Sequence, residues 1–252
     1  MGAAATIIIP ARLASSRFAE KMLAAVTGMP LVQHVVEAAR GARCASQVVV
    51  AADDERIAAA LKPFGTRVLL TSVDHLNGTS RLAEAAALLG LGDDEIVVNA
   101  QGDEPEMDPA VLDAACSALV ASTRAQVATA AAELASDEEA VNPNVVKVVC
   151  DLSGHALYFS RSRIPFDRDG KRAEASRPRR HIGVYVYRVA FLRQYALMAS
   201  TPMERAEQLE QLRVLEHGHA IAVARVTAGH AGIDTAEQYA AFVERWRERG
   251  GR

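Results

Sequence analysis

Short runs rich in Val, Ile and Leu recur along the chain with helix-forming stretches between them, and this alternation limits the possible folds more than any other feature. A chain that keeps returning to an apolar strand after each helical stretch builds a mainly parallel sheet with helices on both faces, an α/β architecture. Strands are expected over 6–9, 47–51, 67–70, 95–99, 127–132 and 145–150, and helices from near Pro30, Asp54, Gly78, Pro109 and Ser136. Pro30 and Pro109 suit a first helical turn, where a missing amide hydrogen costs nothing, and Asp53 or Asp54 can cap the second helix. Gly41, Gly65 and Gly90 fall where helices should stop.

After about residue 151 the rhythm changes. Strands are expected over 156–159 and 182–187, separated by a polar insert over 160–180. Residues 204–216 read as one strong helix with an apolar stripe of Leu209, Leu212 and Leu215. A last strand over 221–226 and a final helix over 235–249, capped by Asp234 or Thr235, complete the chain. At 252 residues this is enough for one large domain with an elaborated sub-region.

Composition narrows the class of function. A formal charge of −3, with 50% hydrophobic and 23% charged residues, describes an ordinary globular chain and gives no reason to expect a nucleic-acid partner. No apolar run approaches the roughly 20 residues that span a bilayer, and the chain start lacks a basic n-region and cleavage site, so a cytoplasmic location is the expectation. Cys44, Cys116 and Cys150 are far apart, lack C-x-x-C spacing and read as small core residues.

Four clusters carry possible chemistry. The first is Ile7-Ile8-Ile9-Pro10-Ala11-Arg12-Leu13-Ala14-Ser15-Ser16-Arg17-Phe18-Ala19-Glu20-Lys21, an apolar strand that delivers three cations to its end. Guanidinium forks, hydroxyls and an ammonium suit a polyanion such as a nucleoside triphosphate, although the segment matches neither G-x-x-x-x-G-K-S/T nor G-x-G-x-x-G. The second is Asn99-Ala100-Gln101-Gly102-Asp103-Glu104-Pro105, at the end of an expected strand, where open α/β sheets bind ligands. Gly102 permits close backbone approach, and Asp103 is the carboxylate best placed to hold Mg²⁺, whereas Asp108 reads as a helix cap before Pro109. The third is Gly232-Ile233-Asp234-Thr235, a helix cap when taken alone and a second metal ligand when taken with Asp103. The fourth gathers Ser160-Arg161-Ser162-Arg163-Ile164-Pro165, Arg180-His181-Ile182-Gly183-Val184-Tyr185 and Leu209-Glu210-Gln211-Leu212; the stretch from Arg161 to Arg180 has eight basic residues against three acids, which suits an acidic small molecule. His217 and His219 lack a third nearby ligand and read as a turn after a helix.

The segments IIIPARLASSRFAEK, DHLNGTSRLAEA, VVNAQGDEPEMDP, NPNVVKVV, ALYFSRSRIPFDRD, RHIGVYVYR, LEQLRVLEHG and GIDTAEQ occur in an order that resembles the 3-deoxy-D-manno-octulosonate (Kdo) cytidylyltransferases. The resemblance covers nearly the whole chain. It implies a nucleotide-diphospho-sugar-transferase-like fold with a CTP-binding core over 1–150 and 220–252, and a sugar-binding and dimerisation sub-region over about 151–219. It further implies CTP as co-substrate, Mg²⁺ as cofactor, a homodimer, and formation of CMP-Kdo and pyrophosphate. By the same resemblance Arg12, Ser15, Arg17 and Lys21 embrace the triphosphate, Pro10, Ala11, Asn77, Gly78 and Thr79 lie near the cytosine, and Gln101 sits beside the nucleotide. Asp103 and Asp234 ligate Mg²⁺, and Arg161, His181, Tyr185, Glu210 and Gln211 line the sugar site, with Arg161 on the sugar carboxylate through two parallel hydrogen bonds.

The chain departs from the pattern in one loop. Where these enzymes read R-L-P-G-K-P-L, this chain has Arg17-Phe18-Ala19-Glu20-Lys21-Met22-Leu23, which removes a glycine and puts an anion beside the phosphate cations. Asn77 also stands where Ser is common, and Ser80 where an acid is common. Two rivals stay open at this point: a cytidylyltransferase for another acidic sugar, such as an 8-amino analogue of Kdo or a nonulosonate, and a catalytically silent sugar-nucleotide-binding subunit.

Overall fold

The Ile7-Ile8-Ile9 run forms the buried strand β1 (Ala5–Ala11), which lies between β2 (Ala45–Ala52) and β4 (Ile96–Asn99) and runs parallel to both. The computed structural model describes residues 4–14, 17–75, 77–169, 177–227 and 232–250. Next to β2 lies β3 (Arg67–Leu70), also parallel. On the other side β8 (Arg179–Arg188) enters antiparallel between β4 and β5 (Ala125–Glu133), and β9 (Ala220–Val226) pairs parallel with β5. The order is β3-β2-β1-β4-β8-β5-β9, and the antiparallel pair β6 (Lys147–Cys150) and β7 (Ala156–Ser160) branches from β8 through β6. The sheet is therefore parallel apart from the pairings of β8 and of the branch. β8 comes from the stretch after residue 151, yet it holds a central place in the sheet.

Successive residues of β1 point to opposite faces, and the core divides accordingly. Ile7 and Ile9 join Val36, Val98, Leu112 and Val184 on one side, while Ile8 joins Leu82, Val97, Tyr187, Leu192 and Leu212 on the other. Helices α1 (Leu31–Arg40) and α4 (Pro109–Ala121) contribute to the first layer, and α3 (Gly78–Leu88) to the second. The remaining early helices are α2 (Glu55–Leu61) and α5 (Asp137–Val141).

Helix starts follow local chemistry. The side chains of Asp54, Asn77, Asp108 and Ser136 accept from the amides of Arg56, Ser80, Ala110 and Glu139 and so cap α2, α3, α4 and α5. Thr235 and Gln238 form a capping box on the helix α9 (Ala236–Glu248). Helix α6 (Val189–Leu197), which follows β8 directly, was not expected from the sequence.

The continuous helix expected over 204–216 is two helices, α7 (Pro202–Glu207) and α8 (Gln211–Glu216). Gln208 breaks it with a left-handed backbone (φ 54°), its amide donating to Glu204 O and its Nε2 to Arg205 O at 2.7 Å. The leucine stripe is real, but the break rotates the chain between Leu209 and Leu212 so that Glu210 and Gln211 line a cavity. Among the described residues no helix is long and apolar enough to cross a membrane.

Leu112, fully buried, and Leu197, 89% exposed, separate the contributions of core and surface. Leu112→Ala should lose roughly 2–5 kcal/mol in urea unfolding, whereas Leu197→Ala should stay within about 0.5 kcal/mol of the parent.

Candidate active site

Three connections meet beyond the carboxyl ends of β1 and β4. They are the loop carrying Arg12, Arg17 and Lys21, the Gln101-Gly102-Asp103-Glu104 turn, and the Ile233-Asp234-Thr235 turn before α9. The Ile233 amide donates to Asp103 O at 2.8 Å, joining the second and third. Gly102 lies where a Cβ would come 2.7 Å from Pro10 O, so the first and second approach more closely than any side chain allows.

The Lys21 ammonium binds all three connections together. It donates to Asp103 Oδ2 at 2.7 Å, Asp234 Oδ1 at 2.9 Å and Ile233 O at 2.9 Å. Burial works against the charge on Lys21, but Asp103 and then Asp234 outweigh it and raise the pKa above the ordinary lysine value. Arg17 adds an ion pair to Asp234 Oδ2 at 2.9 Å. Two carboxylates that both reach one ammonium are close enough to share a cation. Their hard oxygens, open to phosphate and water, fit Mg²⁺, which commonly takes one or two protein carboxylates.

Around this cluster lies a cavity of about 350 Å³, whose walls include Pro10, Arg12, Arg17, Lys21, Asp103 and Asp234. A second cavity of about 230 Å³ is lined by Thr79, Tyr185, Glu210 and Gln211, and also by Asn99. Gly78 and Gln101 border both. Gln101 Nε2 donates to Gly183 O at 2.9 Å, which fixes the side chain at the boundary.

Other residues singled out from the sequence sit further back. Ala11 is a buried strand residue whose carbonyl accepts from Asp53 N at 3.3 Å, and the Asn77 side chain is committed to capping α3. Ser15 lies outside the described residues. His181 Nε2 is 2.9 Å from Thr129 Oγ1, and its ring packs on Tyr185 and Phe159. Burial pushes the His181 imidazole down to about 3, so it is neutral at ordinary pH.

Arg161 lines neither cavity. Its Nε donates to Glu207 O at 2.7 Å, Nη1 to Pro143 O at 3.0 Å and Nη2 to Gln208 O at 3.3 Å. Its carbonyl accepts from the buried Lys147 ammonium, and its amide donates to Glu207 Oε2 at 2.9 Å. The guanidinium thus grips the chain around the left-handed turn at Gln208.

The groups around the second cavity are desolvated. Burial raises the pKa of Tyr185, Tyr187 and Tyr195, and raises that of Glu210 despite the Thr79 hydroxyl that donates to Glu210 Oε2 at 3.1 Å. Glu104, quoted in the second cluster without a role, carries a large effect of the same kind. Burial first and the Asp103 charge second push its carboxyl up to about 8, with Arg180 pulling the other way. The available signal was two adjacent acids at one strand end, since side-by-side carboxylates in a poorly solvated site do not both ionise readily. Glu104 is thereby protonated at neutral pH.

A cytidylyltransferase family profile matches residues 6–221. The chain has the fold and the cleft of a cytidylyltransferase, with a cation-rich cavity at the carboxyl edge of the sheet. A 3-deoxy-manno-octulosonate cytidylyltransferase of Geotalea daltonii is 47% identical over 97% of this chain and 99% of its own length. The enzyme of the same name from Methylibium petroleiphilum is 51% identical over 86% of this chain and 85% of its own. A CMP:2-keto-3-deoxy-manno-octonic acid synthetase, solved in complex with CTP, superimposes with a TM-score of 0.91 at 36% identity, covering 98% of this chain and 100% of that one. The chain belongs to the 3-deoxy-manno-octulosonate cytidylyltransferase family.

The raised Glu104 carboxyl makes stability depend on pH in a definite direction. Between the ordinary carboxyl range and about 8, the folded chain binds a proton that the unfolded chain has released, so stability falls as pH rises through that window. Relative to Glu104→Gln, which does not titrate, the parent should lose up to ~1.4 kcal/mol per pH unit between pH 5 and 8 in denaturant titrations, and the difference should level off above that.

Proposed function

We propose that this chain transfers CMP from CTP to Kdo, releasing pyrophosphate and supplying CMP-Kdo for lipopolysaccharide assembly, with Mg²⁺ held by Asp103 and Asp234. The observation that carries the proposal is the pair of adjoining cavities. One is lined by Arg12, Arg17, Lys21 and two carboxylates, the other by tyrosines, Glu210 and Gln211, and Gly78 and Gln101 separate them. A triphosphate in the first and a sugar acid in the second would meet at that border, which is where the α-phosphate must face the sugar.

In this reading the anomeric hydroxyl of the sugar gives up its proton to water as its oxygen attacks the α-phosphorus, and the bond from that phosphorus to the bridging oxygen breaks to release pyrophosphate. Bound Mg²⁺ would neutralise phosphate charge and lower the pKa of the attacking hydroxyl. Arg12 and Arg17 hold the phosphates through guanidinium forks, and Arg17 exchanges its pairing with Asp234 for the ligand. Lys21, whose three N–H donors are all used by Asp103, Asp234 and Ile233, turns at least one of them to a phosphate oxygen and stabilises charge moving toward the leaving group. Pro10 and Gly78 are assigned to the cytosine side, with Ala11 and Asn77 behind them and Thr79 turned to Glu210, and Ser15 is assigned to the phosphates. Both reactants are held across one boundary, so the bimolecular step becomes local.

No side-chain nucleophile takes part. Cys44 and Cys116 are buried, Cys150 is half-buried, and none of the three lines either cavity. Tyr185, Glu210 and Gln211 are assigned to the sugar, and neutral His181 supports Tyr185 from behind. Arg161 is assigned to hold the 207–211 turn that presents Glu210 and Gln211, in place of the sugar-carboxylate contact that the resemblance implies.

The proposal includes a cytoplasmic location, where CTP is supplied, and a homodimer formed through the 151–219 region. Leu157 on β7, 62% exposed, and the fully exposed Leu152 in the turn before β7 support such a surface.

Incubation with CTP, Mg²⁺ and a panel of Kdo, its 8-amino analogue and a nonulosonate, read by mass, should give CMP-Kdo as the preferred product. Asp103→Asn should lower kcat at least about 100-fold while remaining folded; unchanged turnover would remove Asp103 from the metal site. Leu157→Glu should shift the light-scattering mass toward the monomer, and no shift would place the dimer surface elsewhere.

A further inference from the structure

Asn99 ends β4, in register with Ile8 of β1 and Tyr185 of β8, and its side chain is 3% exposed. Its Oδ1 has no hydrogen-bond partner, although a buried carboxamide brings both an acceptor and two donors that need satisfying. Leaving such an atom unpaired is costly, and a protein retains it where something else completes it. Arg81 Nε and Glu104 Oε2 also lack a hydrogen-bond partner, but those residues line neither cavity. Asn99 does line one, and it is the sugar-side cavity rather than the cation-lined one.

The chemistry around it selects the ligand. Glu210 faces the same cavity as an acceptor already organised by Thr79, and Gln101 has committed its Nε2 to Gly183 O, which leaves its carbonyl oxygen free to accept. With Asn99 Oδ1 these groups make a wall of acceptors, and the occupant that satisfies a wall of acceptors is one rich in hydroxyl donors. Asn99 also stands close to the border, because a Cβ on Gly78 would lie 3.9 Å from its Nδ2.

We propose that Asn99 is a sugar-binding, specificity-determining residue whose side-chain oxygen accepts a hydrogen bond from a ring hydroxyl of the polyhydroxylated acid. This rests on the sugar-pocket reading above. The buried carboxamide rejects an analogue that lacks the matching hydroxyl, since the acceptor is then left unpaired in the complex as well.

The test is a cycle of enzyme variants against sugar analogues, with Kdo and its 4-deoxy and 5-deoxy forms as probes and kcat/KM for each as the readout. The parent should discriminate by at least about tenfold against one deoxy form. Asn99→Ala should lose about tenfold or more on Kdo, lose nothing further on that same form, and keep its KM for CTP within about twofold. Asn99→Leu, which keeps the γ-branched shape and removes the acceptor, should behave alike and stands in if the alanine variant does not fold. Unchanged discrimination in both variants, or an effect confined to the KM for CTP, overturns the assignment while leaving the proposed reaction intact. A parent enzyme that makes no CMP-Kdo overturns the reaction, and this inference with it.

Discussion

One ammonium group holds the cleft together. Lys21 offers three N–H donors, and each finds an acceptor on a connection more than eighty residues away in sequence: Asp103, Ile233 and Asp234. The two carboxylates remain partly open, with side-chain exposures of 27% and 35%, so water moderates the strength of each pairing. Their geometry is set all the same, because a fully satisfied ammonium has one arrangement. The same openness lets an incoming ligand compete for both acids.

Charge is divided between the two cavities. In the cation-lined cavity Arg12, Arg17 and Lys21 face Asp103 and Asp234, while protonation of Glu104 keeps a further negative charge away from Asp103. Around the tyrosine-lined cavity burial holds His181 and the three tyrosines neutral and raises the Glu210 carboxyl. Under the proposed reaction a triphosphate would meet full charges in the first, and sugar hydroxyls would meet uncharged, directional groups in the second. Gly78 and Gln101, neither charged, stand where one regime gives way to the other.

What was legible in the sequence was mostly local. Strands β1 to β4 and the caps at Asp54, Asp108, Ser136 and Thr235 follow from apolar runs and from side chains that bond their own backbone, and the structure has them within a few residues. The antiparallel entry of β8 depends on which strands lie beside it, and nothing within Arg179–Arg188 encodes that. The break at Gln208 was hidden because a leucine stripe looks the same whether its helix is continuous or interrupted. At the site the charged residues are legible from the sequence, whereas Asn99 and Glu104 are not, although both lie in the Asn99 to Pro105 motif. Their importance comes from burial without a partner, which only packing reveals.

The two non-glycine residues with left-handed backbone among those described, Glu20 and Gln208, show how the departure in the opening loop is accommodated. Side chains disfavour this region, so each needs other contacts to hold it. Gln208 has its side-chain Nε2 on Arg205 O and the Arg161 guanidinium on its carbonyl, and it leads straight into Leu209, Glu210 and Gln211. Glu20 pairs with Arg56 at 2.8 Å and leads straight into Lys21. Glu20 occupies the place where the resemblance leads one to expect glycine, and its carboxylate is turned toward α2 rather than toward the phosphate cations. The anion that looked misplaced in the sequence is thus an anchor for the loop. The substitution changes how the loop is held without changing that Lys21 reaches Asp103 and Asp234.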